Sequence, residues 1–100
     1  MTTRRIVTTV TDTKTDRTFD RDLNPLVIMC EDLNLSPELL GETGLCDSIL
    51  HAMDDDSIDG RNTQIRLRGA FEAHLMGYVC KDALCTRVSE ILEGTPYATA

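Results

Sequence analysis

The stretch that decides the fold is NPLVIMCEDLNLSPELLGETGLCDSILHAM, residues 24–53. It begins with a helix start, because the Asn24 side chain can cap free backbone N–H groups and Pro25 suits the first helical position. Apolar residues then recur at helical spacing. The pattern predicts a first helix over residues 25–33.

Two further helices are predicted within the same stretch. Ser36-Pro37 repeats the start signal and opens a short helix that Gly41 or Gly44 ends. A third helix is predicted over 46–53, with one apolar side and one acidic side. The apolar side consists of Cys46, Ile49, Leu50 and Met53, and the other of Asp47, His51 and Asp54.

The residues before this stretch predict a β-hairpin. Eight of the first eighteen residues are threonine, and β-branched side chains fit a pleated surface better than a helix. We expect strands at about 4–11 and 17–21, joined by a turn around Thr13–Thr15.

The residues after it are mostly helical, with one ambiguous segment. Residues 63–68 alternate polar and apolar side chains, with Ile65 and Leu67 on one side. They are either a third strand or the first turns of a long helix. The strict alternation, and Gly69 after it, favour the strand.

Two apolar stripes follow at helical spacing. We expect Asp82 to cap the helix that carries the second stripe, and Gly94 with Pro96 to end it. The first stripe comprises Phe71, Leu75, Tyr78 and Val79, and the second Leu84, Val88, Ile91 and Leu92.

Length and composition fit a single small core. The chain has 100 residues, of which 41% are hydrophobic, and this supports one domain. We therefore expect residues 1–100 to form a single α+β domain, in which the N-terminal β-hairpin packs with four or five α-helices.

Nothing in the sequence predicts export or a membrane span. The N-terminus lacks the apolar stretch of a secretory signal. The longest charge-free runs, 23–30 and 73–80, are eight residues each, whereas a span needs about 20. We expect a cytoplasmic protein whose cysteines are reduced core thiols. The cysteines are Cys30, Cys46, Cys80 and Cys85.

Charge is concentrated in the middle of the chain. The formal net charge is -7, and no Lys or Arg lies between Arg21 and Arg61, where ten carboxylates occur. One explanation is a solvated face of a small domain. The other is a surface that recognises a basic partner, because such a field speeds association and disfavours like-charged ligands.

Metal and catalytic motifs are incomplete. Asp55-x-Ser57-x-Asp59-Gly60 matches the start of a calcium-binding EF-hand loop, but Arg66 occupies the position of the required Glu. We instead expect this acidic run to end the third helix, where the macrodipole disfavours carboxylates and hints at another use.

Zinc and nucleophilic catalysis are also not expected. The five-residue step from Cys80 to Cys85 points the two thiols apart on a helix, and His51 and His74 do not complete a ligand pattern. We expect His74 to lie at a core boundary. No enzyme activity, metal or cofactor is expected.

Residues 33–53 resemble a phage-repressor helix-turn-helix, with the turn at Gly44-Leu45. Phosphates would repel the side chains expected to face outward on its recognition helix. Those side chains are Cys46, Asp47, Ser48, His51 and the run Asp54, Asp55 and Asp56. A small phage or plasmid transcription regulator of helix-turn-helix type is the alternative function.

The whole chain resembles phage-encoded anti-CRISPR proteins, in particular inhibitors of type I-F surveillance complexes. The stretches MTTRRIVTTV (residues 1–10) and AMDDDSIDG (residues 52–60) carry the resemblance. It implies stoichiometric binding to subunits of a type I-F CRISPR RNA-guided complex in the cytoplasm of the infected bacterial host. Target DNA would then be excluded without enzymatic activity.

Under this hypothesis, carboxylates occupy the Lys/Arg groove that holds the DNA backbone. No direct nucleic-acid binding by the protein is expected, since four aromatic residues are too few for a base-stacking platform. The first candidate contact residues are Asp54, Asp55, Asp56 and Asp59. The second set is Glu31, Asp32, Glu38 and Glu42.

Overall fold

The N-terminal hairpin pairs two short strands, β1 (Thr9–Thr11) and β2 (Thr18–Asp20), in antiparallel register. Val10 lies opposite Phe19, and both are buried, while the strand residues beside them are exposed. This alternation is the period-two pattern of a strand with one covered face. The predicted hairpin is confirmed within the described residues.

The computed structural model describes residues 9–20 and 25–98. The predicted strand residues 4–8 and 21, and the predicted cap Asn24, lie outside the described residues.

The hairpin turn, residues 13–15 as predicted, is organised by the buried carboxylate of Asp12. Asp12 Oδ1 accepts hydrogen bonds from the backbone N–H groups of Lys14 at 2.8 Å and Thr15 at 3.2 Å. Its Oδ2 accepts from the N–H of Cys46 at 3.0 Å. Burial by itself raises the pKa of Asp12, but the hydrogen bonds from Cys46, Lys14 and Thr15 prevail and lower it.

Two helices follow the hairpin, α1 (Pro25–Leu33) and α2 (Pro37–Glu42). The predicted bounds of α1 are confirmed. As predicted, Ser36-Pro37 starts α2: Ser36 is the N-cap, and its Oγ accepts from the N–H of Leu39 at 3.4 Å.

Helix α2 continues through Gly41 and ends before Gly44, which has a φ of +68°. Gly41 is needed where α2 meets β1, because a Cβ there would lie 1.9 Å from the carbonyl oxygen of Thr11. The prediction left open which glycine ends α2, and the structure places that end next to Gly44.

Three more helices complete the described chain: α3 (Cys46–Met53), α4 (Ile58–Leu75) and α5 (Lys81–Leu92). The predicted α3 is confirmed, and Cys46 and Ile49 from its apolar stripe are fully buried. Within the described residues the fold is therefore a small α+β fold with a two-stranded hairpin and five helices, as predicted.

The structure divides between Cys46 and Asp47 into two compact units. We refer to them as the N-terminal unit and the C-terminal unit, and each has its own buried apolar residues. In the N-terminal unit these include Val10, Phe19, Leu26, Val27, Met29, Cys30, Leu35 and Leu40. In the C-terminal unit they include Ile49, Ala52, Leu67, Phe71, Leu84, Val88 and Leu92.

The predicted third strand over 63–68 is wrong, because these residues belong to α4. The alternation would put Ile65 and Leu67 on one face, but on a helix they lie on nearly opposite sides. Accordingly, Leu67 is fully buried and Ile65 is 68% exposed. The buried side of the helix follows helical spacing through Thr63, Leu67, Ala70 and Phe71.

The first predicted apolar stripe is only partly correct. Phe71 is buried, but Leu75 and Tyr78 are 45% and 79% exposed. The helix ends at Leu75 and the chain turns at Gly77, which has a φ of +85°. Tyr78 is therefore no longer on the helical stripe.

The second stripe is confirmed, with Leu84, Val88 and Leu92 buried on α5. The predicted cap is wrong, because the N-cap residue is Cys80 and Asp82 lies in the first turn of the helix. As predicted, α5 ends just before Gly94, which has a φ of +79°.

The cysteines do not share one environment. All four are free thiols; Cys30 and Cys46 are buried, Cys85 is half-buried and Cys80 is exposed. The prediction of four core thiols is therefore wrong for Cys80. Along the described chain, no helix combines the length and the apolar character needed to cross a lipid bilayer.

Candidate functional site

The first group of predicted contact residues lies on the connection between α3 and α4 and on the first two residues of α4. We call this segment, residues 54–59, the acidic loop. Helix α3 ends at Met53, and the N–H of Asp54 still donates to the carbonyl of Leu50 at 2.9 Å. The loop then passes directly into the cap of α4. Both of its ends are thus fixed by backbone hydrogen bonds.

Gln64, on the second turn of α4, closes the loop from the other side. Its amide Nε2 donates to the carbonyl oxygens of Ala52 at 2.9 Å, Met53 at 3.3 Å and Asp55 at 3.0 Å. These carbonyls include ones that the end of α3 leaves without helical partners. One amide therefore satisfies the end of α3 and ties the acidic loop to α4.

Asp55 stabilises the acidic loop through hydrogen bonds within the protein. Its Oδ1 accepts from the N–H of Ser57 at 2.8 Å, and its Oδ2 accepts from the hydroxyl of Tyr97. The Tyr97 hydroxyl is the main cause that lowers the pKa of Asp55, and the hydrogen bond from Ser57 adds to it. The same bond to Asp55 is the main cause that raises the pKa of Tyr97.

Tyr97 holds this position from a buried site in the C-terminal unit. Its side chain is 3% exposed, and its ring packs edge-on against His51 with 5.3 Å between centroids. The carboxylate of Asp55 is thus occupied by contacts within the protein.

The resemblance to an EF-hand loop has a structural explanation. Ser57 is the N-cap of α4, and its Oγ accepts from the N–H of Gly60 at 3.1 Å. Gly60 is required because a Cβ there would lie 2.3 Å from the carbonyl oxygen of Asp55. The pattern Asp-x-Ser-x-Asp-Gly therefore caps a helix.

The remaining carboxylates of the acidic loop face solvent. Asp54, Asp56 and Asp59 are all exposed. Asp59 lies in the first turn of α4, where the macrodipole favours a negative charge. Our expectation that this run merely ends α3 at a macrodipole cost is therefore wrong for Asp59.

The second predicted group is divided between two places in the N-terminal unit. Glu38 and Glu42, one helical turn apart on α2, line a shallow cleft of about 400 Å³ with Asp16 and three threonines of the hairpin. Glu38 also accepts a hydrogen bond from the Ser36 hydroxyl at 2.7 Å. The cleft threonines are Thr9, Thr11 and Thr13.

Glu31 and Asp32 lie at the other place, the C-terminal end of α1. Asp32 is exposed and Glu31 is half-buried. Neither residue lines the cleft at α2. The structure thus places Glu38 and Glu42 with Asp16, and Glu31 and Asp32 elsewhere.

Histidine and cysteine side chains have structural placements. His74 is half-buried, and its Nδ1 lies 2.7 Å from the carbonyl oxygen of Val79, as suits a boundary residue. Among the residues that the structure describes, no three His, Cys, Asp or Glu side chains are placed to hold a metal ion.

In the helix-turn-helix alternative, part of the surface expected to contact DNA is buried. Of the side chains expected to face outward on the recognition helix, Cys46 and Ser48 are buried, at 0% and 2% exposure. His51 is exposed and Asp47 is half-buried. The expectation of an outward-facing Cys46 and Ser48 is therefore wrong.

Three residues that shape these sites were not predicted from the sequence: Gln64, Tyr97 and Asp16. Gln64 and Tyr97 act on residues 9 and 42 positions away, so no local pattern reveals them. Asp16 has a φ of 58°, and its place in the polar turn was the available signal.

Comparison with protein-family models, curated proteins and solved structures finds no match to this chain.

Proposed function

We propose that this protein is a non-enzymatic inhibitor that binds a basic protein surface through the acidic loop. The resemblance to phage-encoded anti-CRISPR proteins supports a specific partner, subunits of a type I-F CRISPR RNA-guided complex. The Lys/Arg groove that receives target DNA in such a complex is a surface of the required charge. Binding there excludes DNA by competition for the same cations.

The observation that carries the proposal is that hydrogen bonds hold the loop on which the exposed carboxylates lie. Asp54 and Asp56 flank Asp55, whose own carboxylate is held by Ser57 and Tyr97. A loop held in this way loses little conformational entropy on binding. The cost of ordering the loop therefore offsets little of the favourable interaction energy of its charges.

The size of the electrostatic contribution limits what the acidic loop can do alone. An exposed ion pair contributes roughly 0.2–1 kcal/mol, so Asp54, Asp56 and Asp59 at the rim of an interface would give a few kcal/mol at most. Pairs that are desolvated at the centre of an interface contribute more.

The test is a charge reversal that retains the hydrogen bonds of Asp55 with Ser57 and Tyr97. Asp54→Lys/Asp56→Lys reverses two exposed carboxylates and retains Asp55, which the loop needs. Asp59 is also retained, because it stabilises the first turn of α4. We expect binding to a purified type I-F complex, measured by biolayer interferometry, to weaken about 10- to 100-fold, at 1.4 kcal/mol per tenfold.

The matched control is Glu90→Lys/Glu93→Lys, which makes the same charge change at two exposed residues at the end of α5. We expect its affinity to stay within about threefold of the wild type. Equal weakening in both variants would indicate a net-charge effect and contradict the acidic loop as the contact.

Two further results would reject the proposed function itself. The first is wild-type protein that neither binds the complex nor prevents it from retaining target DNA in a gel-shift assay. The second is tight, sequence-specific retention of operator DNA by the protein alone, which is the behaviour of the alternative transcription regulator.

A further inference from the structure

Helix α4 carries an apolar line on its exposed side. Ile58, Ile65 and Met76 are 79%, 68% and 69% exposed. Steps of 7 and 11 residues are close to two and three full helical turns, so these side chains lie above one another along the helix. Gly69 lies on the same line, and a Cβ built on it would meet nothing within 4 Å.

Two opposite charges border this line. Arg61 and Glu72 are exposed, and within the described part of the chain neither side chain has a hydrogen-bond or ion-pair partner. They are 11 residues apart, about 16 Å along the helix axis. They therefore cannot reach one another on the same helix.

We propose that this face of α4 binds the same face of a second copy of the chain, with the two helices antiparallel about a twofold axis. Pairs of positions whose numbers add up to about 134 then lie opposite one another. Ile58 packs against Met76 of the second copy, and Ile65 packs over its Gly69. Arg61 reaches Glu72 of the second copy, and symmetry repeats each contact.

Charge complementarity selects this occupant and this direction. Arg68 on this side already has an interaction within the chain. The two charges without one in the described structure, Arg61 and Glu72, lie towards opposite ends of the face, so an antiparallel copy presents the opposite charge to each. A parallel, in-register copy would bring Arg61 level with Arg61 and Glu72 level with Glu72, so neither charge would meet an opposite one. Only the antiparallel pairing also sets Ile65 over the space that Gly69 leaves.

The interface is small, so the dimer must be concentration-dependent. Helix α4 has 18 residues and is about 27 Å long, and one helix face buries less area than a standard interface. We expect a weak dimer that dissociates on dilution. The contact shares Ile58 with the acidic loop but uses none of the loop's carboxylates, so it stands independently of the proposed function.

The experiment is a charge swap followed by sedimentation equilibrium on the full chain. Arg61→Glu and Glu72→Arg should each raise the dimer Kd about 10-fold or more, because each leaves like charges opposed. The double variant Arg61→Glu/Glu72→Arg restores opposite charges and should return the Kd to within about threefold of the wild type. Such rescue requires contact between copies, because the two residues cannot meet on one helix.

A steric variant and a control complete the test. Gly69→Leu fills the space under Ile65 of the second copy and should abolish the dimer, while circular dichroism shows the helix content retained. The control Glu90→Arg makes the same charge change as Glu72→Arg at an exposed residue of α5 that does not line the groove at Gly69, and it should leave the Kd unchanged. A wild-type chain that is still monomeric at about 0.5 mM, or a double swap that fails to rescue the single variants, would overturn the proposal.

Discussion

The same substitution, glycine to alanine, should have opposite effects at Gly41 and Gly69, and this is the sharpest test of the fold. Both residues lie inside helices, so alanine improves the intrinsic helix propensity at each by about 1 kcal/mol. Gly69 is exposed, and a Cβ there meets nothing within 4 Å. Gly69→Ala should therefore stabilise the monomer by about 0.5–1 kcal/mol.

At Gly41 the same substitution should instead lower the free energy of unfolding. A Cβ would lie 1.9 Å from the carbonyl oxygen of Thr11, more than 1 Å inside the 3.0 Å that real Cβ atoms keep. Helix α2 and strand β1 must then separate, and overpacking of this kind costs about 1–3 kcal/mol. Thr13 donates two hydrogen bonds to the carbonyl of Gly41, each 3.1 Å long, and the separation weakens both, at about 1 kcal/mol each.

The net expectation for Gly41→Ala is a loss of about 2–4 kcal/mol after the gain in helix propensity. The assay is urea unfolding of each variant, followed by circular dichroism at a protein concentration low enough to keep the chain monomeric. A free energy of unfolding for Gly41→Ala within about 0.5 kcal/mol of the wild type would refute the reasoning. So would a destabilised Gly69→Ala.

Three further predictions follow from individual side chains. Asp12 has a lowered pKa, so its contribution to stability is complete above its unfolded pKa of about 3.9 and is lost as the pH falls through its folded pKa. Asp12→Asn should therefore be less stable than the wild type at pH 7, with the difference shrinking towards pH 2; a constant difference would contradict this. Ultraviolet titration should show Tyr97 ionising above the usual pH of about 10. In Asp55→Asn the pKa of Tyr97 should return towards that value, since the bond to Asp55 is the main cause of its raised pKa. An unchanged titration curve would contradict the role of that bond. Iodoacetamide should modify exposed Cys80 first in the native protein and leave buried Cys30 and Cys46 unmodified until unfolding. Peptide mass spectrometry would measure the order of labelling, and early labelling of Cys30 would contradict the described core.

The helices that proline introduces were predictable from the sequence. Pro25 and Pro37 each mark a first helical residue, and the bounds of α1 follow from that signal and from apolar spacing. The error over residues 63–68 has a physical cause, because six alternating residues fit a strand face and also part of a helix. What decides between them is Ser57, whose cap starts α4 six residues before Thr63.

The candidate site was predictable only in part. The charge map indicated Asp54 and Asp56, and both are exposed. It could not distinguish Asp55 from its neighbours, because the partner that occupies Asp55 is Tyr97, 42 residues away. Similarly, nothing near Gln64 in the sequence indicates that its amide closes the end of α3. Contacts between residues this far apart arise only when the chain is folded.

The buried Asp12 carboxylate joins two elements that would otherwise open separately. First-turn amides of a helix normally lack partners within the helix, so the amide of Cys46 at the start of α3 would exchange its hydrogen with solvent readily. Because that amide donates to Asp12 Oδ2, it is exposed only when the hairpin turn also opens. The turn and the first residue of α3 therefore belong to one cooperative opening unit, and their amides should share a single protection factor.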